Sequence, residues 1–159
     1  MTELPSELRQ ALQVDESGDL DAIIRQHRPA DFEALRRLLR ASPEAGPLLR
    51  VRAIYALGRW GDPAVVGEIL TLLPALDQDE RIKAIDALGR LGTDEAAAGV
   101  LAYARDDSLP VRKFVARALG RIGTPRARAG LTELRQSDSS EYIRLLAATE
   151  LAAAERAGG

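Results

Sequence analysis

Hydrophobic positions along the chain recur at intervals of three and four residues. In one stretch Val111, Val115, Ala118, Leu119 and Ile122 fall on one side of a helix. In another, Val66, Ile69, Leu70 and Leu73 do the same. Alternation with a period of two is absent, so the pattern predicts helices and no strands. The breaks between stripes are equally regular. Gly123 suits the left-handed residue that ends a helix. Thr124-Pro125 and Asp62-Pro63 then offer a capping side chain followed by proline at the first helical position.

These stripes repeat. RVRAIYALGRWGDPAVVGEIL, RIKAIDALGRLGTDEAAAGVL and RKFVARALGRIGTPRARAGLT begin at Arg50, Arg81 and Arg112, with no gap in the register. The string Ala-Leu-Gly-Arg-x-Gly stands at Ala56–Gly61, Ala87–Gly92 and Ala118–Gly123. Asp31, Asp62, Thr93 and Thr124 form a column of candidate N-caps. Ala34, Val65, Ala96 and Ala127 form a second column, and Leu38, Ile69, Val100 and Leu131 a third. Towards the C-terminus the register resumes after one inserted residue, with Leu151 falling where Leu119 did. The expected organisation is a single domain over 1–159. An N-terminal cap helix lies within 1–18 and a divergent repeat covers 19–45. Repeats follow at 46–77, 78–107 and 108–137, and a capping helix occupies 138–156. Neither helix of a unit can bury its stripe alone, so stacked units must share one continuous core. Gly120 is expected to let a neighbouring backbone come close. Trp60 shares a column with Leu91 and Ile122 and reads as core.

The pattern resembles the HEAT-like repeats, in the short subclass labelled phycobilisome-lyase HEAT-like. Val111-Arg112, Ala118-Leu119-Gly120 and Gly123-Thr124-Pro125 carry the resemblance. They are echoed by Ala56-Leu57-Gly58 with Gly61-Asp62-Pro63, and by Ala87-Leu88-Gly89 with Gly92-Thr93. It is strong over 49–137 and weak outside. It implies an all-α, right-handed α-α superhelix of antiparallel helix pairs, with the second helices lining a concave face. It also implies protein binding as the usual role, although a fold alone does not establish function. Some relatives are bilin lyases, iron hydroxylases or DNA glycosylases. The hydroxylase pattern needs repeated His-Glu pairs, and this chain has one histidine, His27, followed by Arg28.

Composition sharpens the picture at three points. Alanine and leucine fill 27 and 24 of the 159 positions, the small-and-large alternation that stacked helices need. The chain has no cysteine, which removes disulfides, thiolate metal sites and cysteine nucleophiles. A metal site needs companions that His27 lacks. Net charge is −2, which weighs against a dedicated nucleic-acid binder. The N-terminus, MTELPSELRQ, has no basic-then-apolar signal pattern. No apolar run approaches membrane-spanning length, and the expected location is cytoplasmic.

Candidate chemistry is sparse. Asp77, Asp79 and Glu80, and likewise Asp106 and Asp107, fall in turns between units and read as helix caps. One arginine column, Arg50, Arg81, Arg112 and Arg144, is expected to pair with those acidic turns, for example Arg112 with Asp106 or Asp107. A second column, Arg59, Arg90 and Arg121, sits at helix C-termini, where positive charge is favourable. Residues 110–137 carry seven cations against one carboxylate. Arg112, Lys113, Arg117, Arg121, Arg128 and Arg135 therefore make an alternative basic patch for phosphate or nucleic acid.

Positions outside the buried stripe of the second helices should line the concave face. The candidate partner-binding residues are Arg36, Arg37, Arg40, Glu68, Thr71, Ala98, Ala102, Arg105, Arg126 and Glu133. The middle of this face is floored by Ala and Gly and its ends carry arginines. This predicts a groove for a helix or an extended segment with acidic ends. The expected function is a non-catalytic scaffold that binds another protein and uses no cofactor. Binding of phosphate or nucleic acid and a bilin lyase-like activity are the alternatives. The broadly apolar closing helix, with Tyr142, Ile143, Leu145, Leu146 and Leu151, caps a monomer or joins two copies end to end.

Overall fold

Proline, a capping side chain and a left-handed glycine punctuate the chain at nearly every turn. The computed structural model describes residues 4–13, 17–26, 28–41 and 46–158. His27 lies outside them. The helices are α1 (Ser6–Gln13), α2 (Ser17–Gln26), α3 (Pro29–Arg40), α4 (Pro47–Trp60), α5 (Val66–Leu72), α6 (Gln78–Leu91), α7 (Asp94–Leu101), α8 (Leu109–Ile122), α9 (Pro125–Ser137) and α10 (Glu141–Gly158). Single 3-10 turns, Pro63–Val65 and Leu73–Ala75, flank α5. No strand occurs among the described residues.

The recurring Gly61, Gly92 and Gly123 end α4, α6 and α8 with φ of 76°, 71° and 65°, a region that favours glycine. Each following helix or turn begins on a side-chain cap. Asp62 accepts from the Ala64 amide (2.9 Å), Thr93 from Ala96 (3.0 Å) and Thr124 from Ala127 (3.3 Å). The column breaks at Asp31. Pro29 occupies the first helical position of α3, so that helix starts early and Asp31 lies inside its first turn. Its buried carboxylate accepts from Arg28 Nε at 2.6 Å, and Arg28 also reaches Glu7 on α1.

The first helices of successive units, α4, α6, α8 and α10, stack side by side, and α3, α5, α7 and α9 form a second row. Leu57, Leu88 and Leu119 are fully buried at the centre of the first row. Ala34, Val65, Ala96 and Ala127 are fully buried in the second. Two glycines set the helix spacing in the first row. A Cβ on Gly58 would stand 2.9 Å from the Ala87 Cα, and one on Gly89 would stand 2.9 Å from the Ala118 Cα. At Gly120 the expected close backbone is replaced by a side chain. Glu150 occupies the register position of Ala87 and Ala118, and its carboxylate lies over Gly120. Burial pushes the Glu150 carboxyl above its ordinary value, against the pull of Arg117 and Arg121.

At the N-terminal end, α1 and α2 cover α4. Arg52 donates to the Leu12 carbonyl (2.9 Å), and the Tyr55 hydroxyl meets Asp21 (3.2 Å). Trp60 is only partly buried, unlike Leu91 and Ile122 in its column. It meets the edge of Phe32, with ring centroids 5.6 Å apart. At the other end, α10 turns Ile143, Ala147, Leu151 and Ala154 inward and leaves Tyr142 and Leu145 exposed. The closing helix is therefore two-sided.

Candidate interaction surface

The exposed side of the row α3–α5–α7–α9 begins with a charge cluster. Successive turns of α3 place Arg36 and Arg40 above Glu68 of α5. Arg36 binds the carboxylate through Nε (3.0 Å) and Nη2 (2.6 Å), and Arg40 through Nη2 (2.8 Å). Arg36 also pairs with Glu33 at 3.0 Å and lies over the Phe32 ring. Arg37 stands apart, exposed, with the Glu33 carbonyl as its one hydrogen-bond partner among the described residues. Two of the arginines expected to hold a partner's acidic ends thus hold Glu68 instead.

Burial raises the Glu68 carboxyl, but hydrogen bonds and charges from Arg36 and Arg40 outweigh it and hold the group below its ordinary value of 4.5. A carboxyl depressed by folding contributes stability above its unfolded value, and that contribution is lost as pH falls through the folded value. Glu68→Gln should therefore flatten the acid limb of stability against pH below about 4.5. Urea melts at pH 6, 5, 4 and 3 read this directly. An acid limb as steep as that of the parent protein would contradict it.

Further along, the small residues serve packing. A Cβ on Gly99 would fall 2.1 Å from Leu70 Cδ2, and one on Gly130 would fall 2.3 Å from Leu101 Cδ2. A leucine of each unit therefore fills the glycine gap of the next. At Gly99 and Gly130 the glycine floor expected to admit a partner is occupied from within, whereas Gly67 stays exposed. The exposed residues left on this face include Thr71, whose hydroxyl donates to the Gly67 carbonyl at 2.8 Å, and Ala98. Arg126 reaches Asp94 at 3.0 Å, and Asp94 also accepts from the Thr124 hydroxyl.

Three of the candidate residues, Ala102, Arg105 and Glu133, meet in one place. They line a groove of about 740 Å3 between the C-terminal ends of α7 and α9. α7 ends at Leu101 whereas α9 runs on to Ser137, so the longer helix stands over the shorter one. Leu134 contributes a second cause. The equivalent residue one unit earlier is Tyr103, whose ring lies 5.2 Å from the Arg81 guanidinium. Leucine leaves that space open above Arg112.

Arg112 forms the groove's wall with a buried ion pair. Its Nε donates to Asp138 at 2.9 Å, and Nη1 donates to the carbonyls of Asp106 (2.8 Å) and Asp107 (3.3 Å). The acidic turn is thus met through its backbone, and the paired carboxylate is Asp138, one unit on. Asp106 instead serves Arg81 at 3.4 Å and caps the Ser108 amide. Arg50 pairs with buried Glu80, which also completes a capping box with Asp77. Arg144 donates to the Asp138 carbonyl at 2.7 Å.

The basic patch is divided by the fold. Arg112 lies inside the stack. Arg121 reaches back to Asp86 on α6 (3.0 Å), which Arg90 also binds (3.1 Å). Burial raises the Asp86 carboxyl, and these two arginines bring it below its ordinary value. Arg117 lies over Phe114 and close to Glu150. Lys113 shares α8 with these residues, whereas Arg128 and Arg135 sit on α9.

Asp138, Asp94 and Leu134 take part in this face and were not singled out by the sequence. The signal for Asp138 was its register: allowing for the one inserted residue, it stands where Asp106 does, and it caps the Ser140 amide as Asp106 caps that of Ser108. Among the described residues, no group of three metal-ligating side chains occurs, and no helix is long and apolar enough to cross a membrane.

A comparison with curated proteins gives no match. The family model for HEAT repeats matches residues 68–152, more than half of the chain, from α5 into α10. That stretch holds the stacked first helices, the capped second helices and the groove between them, and the chain belongs to the HEAT-repeat family.

Proposed function

We propose that this protein is a non-catalytic scaffold that holds another protein along the face formed by its second helices. HEAT repeats are commonly protein-interaction scaffolds. The observation that carries the reading is the groove between α7 and α9, where Ala102, Arg105 and Glu133 converge on an open, partly apolar floor. Stacked repeats present such extended surfaces without rearrangement. The charge clusters elsewhere on the chain support this reading over a phosphate site. Of the basic patch, Arg112 and Arg121 bind carboxylates within the protein, at Asp138 and Asp86, which weighs against a phosphate role for these two.

A photo-crosslinking amino acid placed at Ala102 or Thr71, both exposed on the second-helix side, should capture the same partner in the source cell. Lys83 and Thr149, exposed on first helices, should not capture it. An adduct from Lys83 or Thr149 alone, or none from any position, would overturn the assignment.

A further inference from the structure

We infer that the groove between α7 and α9 receives a basic segment of the partner protein, anchored by an apolar side chain. This rests on the scaffold reading and specifies the chemistry of what is bound. Two observations point to positive charge.

The first is the charge balance of the walls. Four carboxylates, Asp106, Asp107, Glu133 and Asp138, line the groove with two guanidinium groups, Arg105 and Arg112, and Arg81 pairs with Asp106 at 3.4 Å, which leaves one carboxylate in surplus. The second is that the buried cation, Arg112, is already engaged, whereas one carboxylate is not. Arg112 is held by Asp138 and two backbone carbonyls, and Arg105 binds Glu133 at 2.6 Å. The Asp107 carboxylate is exposed and makes no hydrogen bond or ion pair among the described residues. Both favour a cationic visitor over an anionic one.

The floor supplies the anchor. Half-buried Leu101 and Ala104, with buried Leu134 beside them, form a small apolar patch in the groove. One unit earlier the equivalent of Leu134 is Tyr103, whose ring lies against Arg81. Removal of this apolar surface from water would add to binding energy in a way that charge alone could not. The expectation of acidic segments on this face rested on arginines, of which Arg36 and Arg40 bind Glu68 and Arg105 binds Glu133.

Fluorescence anisotropy with three labelled peptides of one length tests the inference: alternating blocks of Leu and Lys, Leu and Glu, and Ser and Lys. The Leu/Lys peptide should bind saturably, and the Leu/Glu peptide should not. The Ser/Lys peptide should bind at least about tenfold more weakly, because it lacks the apolar anchor. Asp107→Asn with Glu133→Gln should weaken the Leu/Lys peptide by about threefold per charge removed, as exposed charge pairs do. Glu155→Gln, on α10 away from the groove, should leave it unchanged. Equal or better binding of Leu/Glu, equal binding of Ser/Lys, no binding at all, or indifference to the two groove variants would each overturn the inference. Crosslinking at Ala102 separates the two levels. An adduct there combined with the wrong peptide preference removes the basic-segment inference and leaves the scaffold standing.

Discussion

Asp138→Ala should lower the stability of this protein by about 3 kcal/mol. The carboxylate side chain is 3% exposed and accepts from Arg112 Nε, from Arg112 Nη2 and from the Ser140 amide. Removing it leaves a guanidinium, itself 11% exposed, without its counter-charge inside the stack. Water cannot easily replace the lost partner, so the cost is that of an uncompensated buried charge. For a chain of this length the melting temperature should fall by about 6–12 °C. Asp138→Ala combined with Arg112→Met should recover part of the loss, because the orphaned charge is gone. Recovery is incomplete because the carbonyls of Asp106 and Asp107 also lose their donor. Glu133→Gln breaks a pair whose members are 61% and 84% exposed, and the melting curve should stay where it is. Thermal and urea melts of the three variants decide the matter. A single Asp138→Ala variant as stable as the parent would show that Arg112 is hydrated after all.

Gly89→Val should cost about 3 kcal/mol, at the upper end of what overpacking exacts. The added Cβ would stand 2.9 Å from the Ala118 Cα and 3.0 Å from its Cβ. Those are atoms of the helix framework of α8, so relief requires two fully packed helices to move apart. Gly99→Ala makes the opposite case. Its new Cβ meets Leu70 Cδ2, the far end of a side chain that can rotate. The gain of about 1 kcal/mol in helix propensity offsets that adjustment, and stability should change by less than about 1 kcal/mol. Circular dichroism during urea unfolding measures both. Comparable losses at Gly89 and Gly99 would mean that the two rows of helices are equally adaptable.

The fold was legible because its signals are local. Gly61, Gly92 and Gly123 act within a single turn, as do Asp62, Thr93 and Thr124. Their spacing needs no knowledge of neighbours. Asp31 looked like the same cap but sits inside α3, because Pro29 begins that helix first and Arg28 claims the carboxylate. Gly120 looked like Gly58 and Gly89. The difference lay in its neighbour, where Glu150 stands in place of an alanine. That substitution is visible in the sequence only when the closing helix is read through the inserted residue.

The interaction surface was harder to read because it depends on which charges find each other across units. Arg36 and Arg40 looked available in one dimension and are bound to Glu68 in three. Arg112 was paired in the sequence reading with the nearest acidic turn. Its carboxylate comes from Asp138, 26 residues further on.

By itself the sequence determined the helices, their ends, the repeat and the shared core, because capping, glycine conformation and the apolar stripe are properties of a few consecutive residues. The tertiary structure alone decided which surface remains open. It set Leu70 and Leu101 into the glycine gaps and bound the arginines to carboxylates of neighbouring units. It also left a groove where α9 outruns α7 and Leu134 replaces an aromatic ring. The physical reason is range. A cap or a turn is closed by bonds to the next few residues, whereas the charge and shape of a surface are remainders, left after side chains some thirty residues apart have satisfied one another.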